Sequence, residues 1–169
     1  MKPFFVAASL LAAAAPSLVQ AHDIQRIATS ANSPILAGVA IPEHADWLVL
    51  SGQVPPVANP AGPADAIATY GDTKQQAIGT FQKIEALLKA QDYALSDVVK
   101  LTVFLVGDPA LGGKLDFKGF NEAYSQFFGT QTQPNNTARS VVQVVALANP
   151  AFLVEIEAVA AKSGASHQH

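Results

Sequence analysis

The stretch from Pro134 to Ala161, PNNTARSVVQVVALANPAFLVEIEAVAA, is the part of this chain that leaves the fewest options. It reads as two β-strands, Ala138–Leu147 and Leu153–Ala161, joined by a short turn at Ala148-Asn149-Pro150. Both are rich in Val, Ile and Leu, and each carries charge inside an otherwise apolar run. Alternation puts Arg139, Val141, Gln143 and Val145 on one face of the first strand. On the second, Glu155 and Glu157 share a face, while Val154, Ile156, Ala158 and Ala160 form an apolar one. A guanidinium and a carboxylate among buried-type neighbours are costly unless each has a partner or a task. The plain alternative is a solvated face or a structural Arg–Glu pair. A simple hairpin about Asn149 would set Arg139 about five residues from Glu155 along the ladder, on the order of 16 Å. The two could share a site only through a different sheet order or a second subunit.

The chain has 169 residues and a formal net charge of −3. Residues 1–21 read as a secretory signal peptide, with Lys2, an apolar run from Phe4 to Ala15 and Val19-Gln20-Ala21 as a cleavage site. That run is too short to span a membrane, and no other stretch approaches the needed length. The expected organisation is a signal peptide at 1–21, one domain over 22–162 and a disordered tail at 163–169, in a periplasmic or secreted protein without a membrane anchor. Zero cysteines exclude thiol catalysis, redox motifs and cysteine zinc sites. Ten Lys plus Arg residues and an acidic balance argue against nucleic acid as a partner. Cleavage after Ala21 would expose His22 as an amino-terminal copper chelator, but the spacing of His44, His167 and His169 supports no metal site.

Ile24–Thr29 and Leu36–Ile41 read as short strands about a turn at Asn32-Ser33-Pro34. Trp47–Ser51 is a strand stopping at Gly52. Val54–Gly71 is a Pro/Gly/Ala-rich loop. Asp72 and Gln75 form a helix-capping box, and Ala77, Phe81, Ile84 and Leu88 make the buried stripe of a helix ending near Ala90. Asp97–Val106 is a strand apolar on both faces, so both are expected to be covered, one by helices and the other by a neighbouring subunit. Phe120, Tyr124 and Phe127 mark the buried stripe of a second helix, with Gly129 as its C-cap. Gly107–Lys118 before it reads as a lid or a surface elaboration, and Asn135-Asn136-Thr137 fits a glycosylation acceptor.

The runs TARSVVQV and LVEIEAVA resemble the C-terminal signature of the RidA/YjgF family of reactive-intermediate deaminases. LVLSGQVP at Leu48–Pro55, DVVKLTVFL at Asp97–Leu105 and FNEAYSQFFG at Phe120–Gly129 extend the resemblance over nearly all of Ile24–Ala161. It implies an α+β, chorismate-mutase-like fold: a mixed six-stranded sheet with two helices on one face, assembled as a homotrimer with clefts between subunits. It also implies hydrolysis of 2-enamine or 2-imine intermediates, of the 2-iminobutanoate/2-iminopropanoate type, to 2-keto acids and ammonia, without metal or cofactor. Arg139 would hold the substrate carboxylate and Glu155 would activate water. Ser51 and Gly52 would orient the substrate through their main chain, and Asn121 would lie near the pocket. Three positions depart from the family: Ile35 stands where a pocket Tyr is usual, Val141 replaces a frequent Cys, and Thr137 replaces a Pro. Export would point to imino acids released by amino-acid oxidases or dehydrogenases outside the cytoplasm. Some relatives are linked to RNA cleavage, which the charge balance here opposes. The competing readings are a non-catalytic module binding small carboxylates or keto acids, and a holdase-like protein-binding role.

Overall fold

The computed structural model describes residues 23–31 and 33–164. The expected signal peptide, His22, Asn32 and the tail from Ala165 onward, with His167 and His169, lie outside them. Eight main elements follow one another: β1 (Gln25–Ala28), β2 (Leu36–Ala40), β3 (Asp46–Gln53), α1 (Thr73–Lys89), β4 (Val98–Val106), α2 (Phe117–Tyr124), β5 (Ala138–Val144) and β6 (Val154–Lys162). The strands form one mixed sheet in the order β1-β2-β5-β4-β6-β3. The β2–β5 and β4–β5 pairs are parallel and the others antiparallel. Both helices lie on one face, so the expected α+β architecture is the one the chain adopts.

The centre of the sheet is β4. Its odd positions Leu101, Val103 and Leu105 are fully buried, as are Val154, Ile156 and Ala160 beside them on β6. A strand this apolar needs a neighbour on each edge, and it takes β5 on one and β6 on the other. The last two strands are therefore not a hairpin: β4 lies between them. The first of the pair also ends at Val144 rather than Leu147, while the second runs from Val154 to Lys162.

Helix α1 begins at the box read from the sequence. The Asp72 carboxylate accepts from the Gln75 backbone N–H, and the Gln75 side chain accepts from Asp72 N–H. Ala77, Phe81, Ile84 and Leu88 are fully buried, and Phe81 packs among Phe120, Tyr124, Phe127 and Phe128, with ring centroids 5.1–6.3 Å away. Helix α2 is shorter than expected. It ends at Tyr124 with Ser125 as its C-cap; Gly129, at φ 69°, ends the turn that follows, and Phe128 rather than Phe127 is fully enclosed.

The segment ahead of α2 is braced. Asp108 N–H donates to Lys114 O and Gly113 N–H to Asp108 O, both at 2.9 Å. The Gln143 amide on β5 donates to Gly113 O at 3.1 Å. Gly107 lies so close to Gly113 that a Cβ there would stand 2.1 Å from its carbonyl oxygen. This is a pinned surface elaboration, and it delivers Phe117 to the first turn of α2. The glycosylation sequence is closed off by packing: Asn135 donates to Ser96 O at 3.1 Å, and Thr137 is fully buried.

The second face of the sheet is left open within the protomer. Lys100, Thr102, Phe104 and Val106 are only half-buried, and beside them Trp47, Val49 and Val142 are 53%, 70% and 44% exposed. One helical layer can cover only one face.

One polar residue is part of the core and has no sequence signal. Gln76 on α1 is fully buried, donates to Gly71 O and Ala151 O at 2.9 Å, and accepts from Leu153 N–H at 2.7 Å. It fixes the entry into β6 against α1. Replacing it leaves a buried N–H and two carbonyls unsatisfied. Gln76→Met should lower stability in urea unfolding by about 3 kcal/mol; a loss under about 1 kcal/mol would mean that the entry to β6 is held by packing alone.

Candidate active site

Arg139 is the second residue of β5 and faces the helices, opposite Leu101 on β4. Its aliphatic stem runs under α2, and its guanidinium carbon lies 4.4 Å from the ring centroid of Tyr124, 5.3 Å from Phe120 and 5.9 Å from Phe117. The Tyr124 ring is itself locked. Its hydroxyl accepts from Thr137 N–H at 3.2 Å and contacts Thr137 Oγ1 at 3.3 Å. A proline at 137 would have no N–H to give, so the bond that orients this ring depends on Thr137.

Among the described residues the guanidinium has one hydrogen-bond partner, the side-chain oxygen of Asn121 at 2.5 Å. Nη1 is buried without a partner, and the ion pairs among the described residues, Lys74–Glu122 and Lys118–Glu122, do not involve it. Burial lowers the pKa of Arg139, partly opposed by Tyr124; the group remains a cation at any physiological pH. Arg26 shows the opposite solution. Its guanidinium donates to Ser96 O, Val98 O and Asn136 O at 2.6–3.0 Å, pinning β1 to the start of β4. A hollow of about 390 Å³ adjoins it, but the hydrogen bonds of Arg26 already point into the fold.

Arg139 and Asn121 open into a cleft of about 770 Å³, walled by Pro34, Ile35, Phe117, Tyr124 and Phe128. Of the expected site residues, the structure brings Arg139, Asn121 and Ile35 together here. Val141 sits two residues further along the same face, half-buried against the core, and is not a wall of the cleft.

Ser51, Gly52 and Glu155 form a separate group. Strand β3 does not stop at Gly52 but continues to Gln53 through an irregularity: Leu50 pairs with Ala158 and Gln53 with Ile156, so three steps on β3 match two on β6. The bulge sets Gly52 directly under the Glu155 side chain. A Cβ at Gly52 would stand 1.9 Å from Oε1, so only glycine permits this approach. Glu155 pairs with Phe104 across β4 and shares the face of Phe104, whereas Arg139 shares the face of Leu101. The guanidinium and the carboxylate thus lie on opposite faces of one sheet, two strands apart. Within a protomer they do not meet. Sequence reasoning missed Tyr124, whose stripe position read only as core, and Phe117, which lay within the Gly107–Lys118 segment and is 48% exposed.

Comparison with known proteins places this geometry. The family model described as endoribonuclease L-PSP matches residues 32–162. A RutC family protein of Pyrococcus horikoshii is 35% identical over 117 residues, 69% of this chain and 80% of the relative. TdcF of Escherichia coli, named as a candidate reactive intermediate deaminase, is 32% identical over 136 residues, 80% of this chain and 92% of its own. Among solved structures, a candidate endoribonuclease of Thermotoga maritima is 29% identical with a TM-score of 0.53, covering 79% of this chain and 91% of that one. A Rid-family protein of Yersinia pestis, YyfB, shares the fold with a TM-score of 0.59 at 23% identity, covering 81% and 96%. On the match of model, relatives and fold together, this chain belongs to the YjgF/RidA/RutC family.

Proposed function

We propose that the protein hydrolyses 2-imino acids, and their 2-enamine tautomers, to 2-keto acids and ammonia. The observation that carries this reading is the Arg139 guanidinium: fixed on an aromatic floor, with a buried nitrogen lacking a partner, and open to a cleft. Such a cation suits a planar carboxylate bound through two parallel hydrogen bonds. The Asn121 carbonyl holds the guanidinium in orientation. With the carboxylate held there, the C=N carbon stands one bond further out, where water can attack.

Water adds to C2 of the imine, losing a proton to a base, and the carbinolamine then expels ammonia as its nitrogen takes up a proton. Glu155 is the carboxylate suited to carry that proton in both directions. Because it faces away from Arg139, the proposal requires a second copy of the chain to bring Glu155, with the Ser51–Gly52 main chain, to the mouth of the cleft. The exposed face bearing Trp47, Val49 and Val142 gives that copy an apolar surface to cover. A cyclic trimer in which every protomer supplies Arg139 to one cleft and Glu155 to the next fits this arrangement. If the first 21 residues act as an export signal, the imines come from oxidation of amino acids outside the cytoplasm. Binding without turnover is the second reading, since Arg139 alone suffices to retain a keto acid. Ribonuclease activity is disfavoured by the net charge of −3 and by Glu155 and Glu157 on the open face.

Arg139→Ala and Glu155→Gln should each lower kcat/KM for an imine generated in situ by about 100-fold or more. Mixed after reversible dissociation, the two variants should regain about a quarter of wild-type activity, the chance that a randomly assembled site has both intact groups. No regain would place both groups in the same protomer's site and overturn the shared cleft. Val49→Asp, on the open face, should shift the protein to monomers in light scattering and abolish turnover while circular dichroism is unchanged; an active monomer would sink the assembly.

A further inference from the structure

The cleft beside Arg139 is larger and more apolar than a three- or four-carbon imino acid requires. Its volume of about 770 Å³ lies in the range of sites that enclose whole drug-sized ligands. Several of the polar groups that line it among the described residues bond back into the fold. Ser33 Oγ donates to Ile35 O at 2.6 Å, the Asn136 amide to Ser33 O at 3.2 Å, and Ser125 Oγ to Glu122 O at 3.2 Å. The Tyr124 hydroxyl is engaged by Thr137, and the Asn121 carbonyl by Arg139. Beside the guanidinium, the cleft's lining includes the carbon side chains of Pro34, Ile35 and Phe117. Phe117 stays 48% exposed although an aromatic ring gains by burial, and the braced segment before α2 holds it at the rim. Ile35 offers a branched hydrocarbon and no hydrogen-bonding group to an incoming side chain.

We infer that the side chain of the imino acid accepted here is aromatic, lying between Ile35 and Phe117 while its carboxylate is held by Arg139. The inference rests on the deaminase reading for the reaction, but its ligand preference is measured separately. A second copy closing the mouth leaves Ile35 and Phe117 in place as walls of the cleft. Ile35 and Phe117 are specificity-determining residues that act on the side chain, not on the reacting carbon.

The test uses the full chain and two readouts. In calorimetry, phenylpyruvate should bind at least about tenfold more tightly than pyruvate. Phe117→Ala and Ile35→Ser should each reduce that ratio to about twofold while circular dichroism is unchanged. Equal affinity for the two keto acids, or a ratio untouched by both substitutions, overturns the inference. In turnover, imines released by an amino-acid oxidase from phenylalanine and from alanine are compared. Faster hydrolysis of the alanine-derived imine overturns the aromatic preference and leaves the deaminase reading standing. Tighter phenylpyruvate binding with no hydrolysis of either imine supports the ligand class and removes the reaction.

Discussion

A single guanidinium held on aromatic rings, with one hydrogen bond and no counter-ion among the described residues, is the interaction around which the candidate site is arranged. Removing a cation from water is costly unless the surroundings compensate. At Arg139 the compensation comes from the faces of Tyr124, Phe120 and Phe117 and from the Asn121 oxygen, and it is incomplete. Arg26 shows what the same side chain looks like when it serves only the fold: three backbone carbonyls accept from it, and its work is to fasten an edge hairpin.

The scaffold keeps this charge in position through second-level contacts. Tyr124 is fixed by Thr137, Thr137 immediately precedes β5, and β5 is clamped between β2 and β4. On the reverse face, the bulge in β3 removes one residue of regular pairing and a Cβ, letting Glu155 lie across Gly52. Both arrangements hold a charged side chain with main chain or with rings, elements that move little. That is the support a positioned group needs.

Much of this was legible in the sequence. The capping box at Asp72, the stripe of α1, the double-sided apolarity of β4 and the charges inside two apolar strands each follow from local spacing, and the structure reproduces them. Strand order was not legible. Proximity in sequence favours a hairpin of the last two strands, but β4 needs a partner on both edges and takes its place between them. Alternation gave the face of each charge relative to its own strand, whereas their placement on opposite faces of the sheet depends on that order. Gln76 was invisible for a related reason: a buried amide is recognisable only when the carbonyls and the N–H that it satisfies, far away in sequence, are known. Phe117 lay in a segment without periodicity, and only the bracing by Gln143 and Asp108 fixes where its ring stands.

The opposition of the two faces has a geometric corollary. A protomer that carries its cation under the helices and its carboxylate on the open side cannot offer both to the same neighbour across a twofold axis. Copies that unite the two groups must touch head to tail, through unlike surfaces. Unlike surfaces either close into a ring or propagate as a filament, so the angle at which one sheet meets the next separates a discrete enzyme from a fibre.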